Sequence, residues 1–370
     1  MEKPKLFTVG PTYVDNEVLA AMSHQMFSHR SPDYVKLQGE LIAKLKEFMG
    51  LEDTGYEVFI FTSSSTGIME ASVRNCISAG GSMLNMSCGA FGERFSEIVV
   101  ENGRNSILVD AEWGSANTPS QVERALLEND DDNKNNNIEA VAITHCETST
   151  GVLNPLEKIC KVTGESDALT IVDCVSSMSA TDIRIADWGI DVCFFGVQKC
   201  LGVPPGLAIA AVSEDAVEKA KTVTNRGHYF DFLNLKKYND KNMIPYTPPI
   251  PQMFALVKSL DMIFEEGKEN RFKRYIEVSG RVRQGCKSMG FGIFPDENYL
   301  TPTLSCISIP GNFNLPAMQS MMKERGFVLA SGYGKIKDST FRVGSMGNVY
   351  LEDVNEMLDA LGEVVEDLKD

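Results

Sequence analysis

Apolar positions along this chain fall into short runs separated by longer stretches in which they recur every three or four residues. Residues 6–9, 56–61, 82–86, 105–110, 138–144, 169–172, 191–195 and 207–212 are continuous or alternating apolar runs bounded by polar or turn residues, and they read as strands. Between them, 16–26, 32–49, 68–77, a stretch ending near Gly103, 118–129 and 155–165 have helical spacing. Residues 118–121, Thr-Pro-Ser-Gln, have the form of a capping box with proline in the first turn. Strand and helix in alternation imply an α/β fold with a mainly parallel sheet. Beyond residue 212 the rhythm changes. A helix to 224 leads into an aromatic-rich, irregular stretch at 225–237, then into the rigid turn Tyr246-Thr247-Pro248-Pro249. Residues 252–289 form a long helical region interrupted at Gly267 and Gly280. Strands at 303–309 and 340–343 and helices at 315–325 and 351–368 complete a smaller α/β unit. The expected division is an N-terminal segment 1–15, a large domain 16–250 and a small C-terminal domain 251–370, which suits a chain of 370 residues. The polar run 129–137 reads as an exposed loop.

Chemistry gathers where these runs end. Asp173 closes one strand, and Gln198-Lys199 follows another, so a carboxylate and an amine stand at carboxyl ends, where α/β sheets bind ligands. Such a pair suits pyridoxal phosphate: a lysine forms a Schiff base with the aldehyde, and a buried aspartate keeps the pyridine nitrogen protonated. A surface lysine after a strand and a helix-capping aspartate would give the same spacing. The strand at 56–61 runs into Thr62-Ser63-Ser64-Ser65-Thr66-Gly67 and then a helix, the arrangement of a phosphate cradle, although a plain Ser/Thr cap looks alike. Gly10-Pro11-Thr12 is a turn whose backbone can approach a ligand, and Phe91, between small residues, either stacks on a planar ring or is core. In the loop 145–151, Thr148 or Ser149 can bond a phenolate, while His145 or Glu147 can be structural. His29 and Arg30 either bind an anion or belong to a polar loop.

Composition narrows the classes. A formal charge of −16 opposes binding to nucleic acid or to an anionic membrane surface. Nine scattered cysteines, without a CxxC pair or a Cys/His metal spacing, fit reduced thiols and no metal site. The opening residues lack a long apolar core and no run is long enough to span a bilayer, so a cytoplasmic location is expected.

The strings GPT with HRSPDY, SSSTGIMEA, GAFGERF, THCETSTGVLNPL, VDCVSS, WGIDVCFFGVQKCLGVPPGLA, YTPP, EEGKENRFKR and FRVGSMGN occur in order over nearly the whole length. In these the chain resembles the fold-type I, class V pyridoxal-phosphate aminotransferases of the alanine–glyoxylate / serine–pyruvate group. The resemblance implies a large domain with a mainly parallel seven-stranded sheet flanked by helices, and a homodimer with active sites at the interface. It implies that Lys199 carries the Schiff base and shuttles the proton, that Asp173 pairs with the pyridinium nitrogen and that Phe91 stacks on the ring. Ser64, Ser65, Thr66 and Gln198 would line the phosphate, with Thr247 of the second subunit; Thr148 would approach the phenolate side; Gly10 and Arg342 would meet the substrate, Arg342 by a bidentate grip on its carboxylate. Two departures stand out. Val197 replaces the usual serine two residues before the lysine, and the phosphate turn reads Ser63-Ser64-Ser65-Thr66 where glycines are usual.

The implied reaction is ping-pong transamination of a small amino acid, alanine or serine, with glyoxylate or pyruvate. A transaminase acting on aspartate or another donor is one alternative, and a class V desulfurase or lyase the other. Desulfurases need a reactive cysteine on a later loop and a histidine before the lysine; here Gln198 takes that place, and Cys286 and Cys306 fall in helix and strand. A dicarboxylic donor needs a second cation. Arg30, Arg226 and His228 are the candidates, none of them in a motif that assigns it the task.

Overall fold

A computed structural model describes residues 4–129 and 137–368, so most of the polar run at 129–137 lies outside the described residues. In chain order the first elements are β1 (Lys5–Phe7), α1 (Asn16–Ala21), α2 (Pro32–Met49), β2 (Glu57–Phe61), α3 (Ser65–Cys76), β3 (Ser82–Ser87), α4 (Ala90–Glu101) and β4 (Asn105–Asp110). There follow α5 (Pro119–Asn129), β5 (Ile138–Thr144), β6 (Cys146–Glu147), β7 (Val152–Leu153), α6 (Leu156–Thr163), β8 (Leu169–Asp173), β9 (Val192–Gly196), β10 (Ala208–Val212), α7 (Glu214–Thr222) and α8 (Phe232–Asn239). The last part holds α9 (Ile250–Glu266), α10 (Lys268–Ser288), β11 (Gly292–Ile293), β12 (Leu304–Ser308), α11 (Leu315–Glu324), β13 (Phe327–Ser331), β14 (Thr340–Gly344) and α12 (Leu351–Asp367).

Seven strands form the large sheet in the order β2-β10-β9-β8-β5-β3-β4. Only β10 runs against its neighbours; the other pairings are parallel. The central strands are largely apolar because helices cover both faces, and every residue of β9 and β10 is buried. A five-stranded sheet, β1-β13-β14-β12-β11, forms the second layer system, and in it β1 lies parallel to β13. The N-terminal strand is therefore part of a sheet otherwise made by the last third of the chain. Helix α9 buries Met253, Leu256 and Leu260 in the core beneath the large sheet, whereas α10 buries Val278, Val282 and Cys286 against the small one.

Local rules explain where the sequence reading and the fold differ. The helix beginning at Asn16 stops at Ala21, because the N–H groups of Met22 and Ser23 turn back to Leu19 and Ala20. The long helical region breaks at Gly267, which adopts φ +81°, but Gly280 lies inside α10 without interrupting it. A mid-helix glycine costs about 1 kcal/mol, which the burial of Val278 and Val282 beside it outweighs. The stretch at 225–237 is not wholly irregular: Asp231 caps α8 by accepting the N–H of Leu233 at 2.9 Å. Strand β13 was not expected at all. The expected capping box before α5 forms, with Thr118 N–H donating to Gln121 Oε1 at 2.7 Å.

Candidate active site

Lys199 leaves the end of β9 and is 92% buried, with 8% of its surface exposed. Its Nζ donates to the Val9 carbonyl at 2.5 Å, and burial brings the amine down to about 8. Thr12 fastens the two chain segments: its N–H donates to the Gln198 carbonyl and its hydroxyl to that of Lys199, both at 3.1 Å. Gly10 sits at φ +121°, and a methyl group there would come within 2.6 Å of Lys199 Cδ and Cε. Glycine is required at that turn on both counts.

Asp173 ends the neighbouring strand. Its Oδ1 accepts the Val175 N–H at 2.8 Å, and burial raises the carboxyl to about 7 against that hydrogen bond. A cation placed beside it would restore the carboxylate. His145 donates its backbone N–H to the Asp173 carbonyl; its ring is enclosed, held neutral by burial, and its Nδ1 has no partner.

The N-terminus of α3 faces the same corner. Ser65 Oγ is buried without a hydrogen-bond partner. A Cβ on Gly196 would lie 2.5 Å from both Ser65 Oγ and Gln198 Oε1, which puts the hydroxyl, the amide and the strand end around one small space. Ser64, the N-cap, and Thr66 are exposed by comparison. Thr247 is exposed and makes no hydrogen bond to the described residues of its own chain.

Phe91, in the first turn of α4, forms a wall 5.9 Å from Lys199 Nζ. The wall is pinned from behind by Glu147, which is fully buried. Its Oε2 accepts the N–H groups of Phe91 (3.0 Å) and Gly92 (3.2 Å), and its Oε1 accepts the N–H (3.0 Å) and hydroxyl (2.6 Å) of Ser149. The Tyr333 ring stacks on Phe91 at 5.8 Å and 20°. Arg94 lies 4.7 Å over Phe91 and donates to the Tyr333 hydroxyl at 2.9 Å.

Arg342, on β14, is buried among these parts. Its Nε donates to the Ser331 carbonyl and its Nη1 to that of Thr148, both at 2.9 Å, while Nη2 makes no hydrogen bond to a described residue. The guanidinium stands 5.5 Å from the Tyr333 ring. The Thr148 hydroxyl pairs with that of Ser176 at 2.5 Å.

Beneath the site, three residues of α10 join loops that follow the three principal side chains. Arg271 donates to Ser179 Oγ (2.7 Å), the Cys200 carbonyl (2.6 Å) and Glu266 (2.6 Å). Arg274 donates to Glu266 and to the carbonyls of Gly347 and Val349. Tyr275 accepts the Gly347 N–H at 3.1 Å. Sequence reasoning placed none of Arg94, Tyr333 or Arg271 here, although the GAFGERF and EEGKENRFKR strings carry Arg94 and Arg271. Of the cations it offered for a second carboxylate, Arg30 and His228 are exposed, and Arg226 is spent on Asp231 and two carbonyls. All nine cysteines are buried and free; Cys286 and Cys306 sit inside α10 and β12.

The donor set fits pyridoxal 5′-phosphate. The enclosed amine, the partnerless Ser65 hydroxyl at a helix N-terminus and a carboxyl poised to ionise beside a cation match an aldehyde, a phosphate and a pyridinium nitrogen respectively.

Comparison with known proteins agrees. The class-V aminotransferase family model matches residues 6–333. Serine–glyoxylate aminotransferase of Hyphomicrobium methylovorum is 33% identical over 93% of this chain and 85% of its own. L-Aspartate–glyoxylate aminotransferase of Paracoccus denitrificans is 29% identical over 93% and 86%. The crystal structure of alanine–glyoxylate aminotransferase from Nostoc sp. superposes with a TM-score of 0.91 at 26% identity, over 99% of this chain and 96% of that one.

Proposed function

Because the chain belongs to the class-V aminotransferase family, whose members depend on pyridoxal phosphate, we propose that it moves the amino group of alanine or serine to glyoxylate or pyruvate. The observation that carries this reading is the convergence of Lys199, Asp173 and a single buried carboxylate reader, Arg342, around one wall made by Phe91. When bound, the cofactor supplies an aldehyde that captures the amine and a protonated ring that accepts electrons.

This chain's residues do the rest. The N-terminus of α3, Ser64, Ser65 and Thr66, with Gln198, hold the phosphate through N–H and side-chain donors. Asp173 would hold the proton on the ring nitrogen, Phe91 would cover the ring and Thr148 would lie on the phenolate side. Arg342 grips the α-carboxylate shared by donor and acceptor, while the Gly10 turn bounds the same space. Lys199 Nζ, lowered toward neutrality by burial, would take the α-proton of the bound amino acid, hold it and pass it on to the cofactor. The enclosed setting of Lys199 and Asp173 keeps water from the amine during transfer.

The first keto acid leaves before the second enters, so kinetics are ping-pong. The desulfurase reading lacks its thiol on an open loop. Two features of the reading concern assembly and place: a homodimer in which Thr247 reaches the neighbour's phosphate, supported by its exposure, and a cytoplasmic location, supported by nine free thiols. No helix among the described residues is long and apolar enough to cross a membrane. The test is a donor panel against glyoxylate and pyruvate, followed through each half-reaction by absorbance. Alanine or serine should react with parallel-line kinetics. A preference for cysteine with sulfide release, or no half-reaction with any amino acid, overturns the reading.

A further inference from the structure

Two guanidinium groups bracket Tyr333, and the proposed function uses only one. Arg342 stands 5.5 Å from the tyrosine ring, and Arg94 donates to its hydroxyl at 2.9 Å. Among the described residues that hydroxyl is the only hydrogen-bond acceptor of Arg94, and no carboxylate pairs with it. A guanidinium whose one protein partner is a neutral phenol keeps donors to spare for a carboxylate. Arg94 also belongs electrostatically to the site: its charge acts on Asp173, and its guanidinium lies over Phe91, whose ring is 5.9 Å from Lys199 Nζ.

Consider a donor whose α-carboxylate rests on Arg342 and whose α-carbon faces Lys199. Tyr333 is then the boundary between that substrate and Arg94. Its ring, stacked on Phe91, limits the length of the side chain, and its hydroxyl occupies the one hydrogen bond that Arg94 makes to a described residue. We infer that Arg94 is a second carboxylate reader masked by Tyr333, and that the Tyr333 hydroxyl sets the preference between small and dicarboxylic amino acids. A neutral phenol answers a guanidinium with one weak acceptor, whereas a carboxylate offers two charged oxygens in matching geometry. Removing the hydroxyl or the ring therefore frees Arg94 for a side-chain carboxylate such as that of aspartate, and the added charge pair appears as specificity. The inference rests on the transaminase reading, and the test separates the two.

The holoenzyme and its Tyr333→Phe, Tyr333→Ala and Tyr333→Ala/Arg94→Gln variants are compared in kcat/KM for alanine and aspartate at fixed glyoxylate. The same four proteins are titrated calorimetrically with propionate and succinate, unreactive acids with one and two carboxylates. The aspartate-to-alanine ratio and the succinate-to-propionate affinity ratio should each rise about tenfold or more in Tyr333→Ala and by a smaller factor in Tyr333→Phe, whose ring keeps the wall intact. Both gains should vanish in the double variant. Ratios unchanged by either substitution, or gains that survive Arg94→Gln, overturn the inference. Should Tyr333→Ala fail to fold, Tyr333→Phe and Tyr333→Phe/Arg94→Gln give the same decision. If the wild type turns over no amino acid, the proposed function falls while the succinate titration still decides the role of Arg94.

Discussion

Glu147 accepts the backbone N–H of Phe91 at 3.0 Å, so the residue that walls the site is held by its main chain as well as by its ring. Three more hydrogen bonds from Gly92 and Ser149 satisfy the same carboxylate. Glu147→Gln turns one oxygen into a donor facing N–H groups it cannot bond. The expected cost is about 1–3 kcal/mol, seen as a lower Tm of the cofactor-free protein, together with weaker cofactor binding as α4 shifts. An unchanged Tm would show that the loop and α4 do not depend on this carboxylate.

Asp173 and Lys199 give the cofactor-free protein a pH signature. Burial raises Asp173 from 3.8 to about 7, so the folded state binds the extra proton and stability falls as pH climbs between those values. Burial lowers Lys199 from 10.5 to about 8, so the unfolded state binds the extra proton and stability rises again from pH 8 upward. Asp173→Asn should therefore stabilise the cofactor-free protein at pH 8, by at most about 4 kcal/mol, with the gain fading toward pH 4. The same variant should lose transamination by orders of magnitude, since an amide cannot hold the ring nitrogen charged. Urea unfolding against pH and half-reaction rates check the two halves separately.

Gly10→Ala places a methyl group 2.6 Å from Lys199 Cδ and Cε and strains a backbone at φ +121°. Covalent capture of the cofactor should be lost. Borohydride reduction with peptide mass mapping should label Lys199 in the wild type and nothing in the variant; a label on another lysine would discard Lys199 as the attachment point.

Arg342→Lys keeps the charge but not the planar fork, and it leaves the carbonyls of Ser331 and Thr148 without their donors. Because donor and acceptor share an α-carboxylate, kcat/KM should fall by roughly 10- to 100-fold for both. A loss confined to one of the two would point to a different carboxylate site.

For Thr247, sedimentation of the wild type should give a dimer, and Thr247→Ala should raise the cofactor's Kd about tenfold by removing one phosphate donor from the neighbouring subunit. A fully active monomer rules this arrangement out.

The elements that carry the chemistry were legible because they are local. Strands β8 and β9 are apolar runs ending in Asp173 and just before Lys199, and the step from β2 to α3 shows its hydroxyls in sequence. Contacts that join distant segments left no such mark. Arg94 meets Tyr333 across 239 positions, and Arg271 reaches Cys200 across 71. Strand β13 escaped notice because its burial is partial and its pattern weak, with one buried residue in five. Gly280 misled because propensity alone marks it as a break, whereas tertiary burial holds the helix through it.

The cluster on α10 limits how the two sheets can move. Arg271 holds the Cys200 carbonyl, Arg274 those of Gly347 and Val349, and Tyr275 the Gly347 N–H, with Glu266 neutralising both guanidinium groups. Sliding the small sheet past the large one would tear buried charged groups from their carbonyls. One turn of α10 therefore holds both the loop that follows Lys199 and the loop that follows Arg342, so a substitution there would disturb the spacing of those two side chains without touching either.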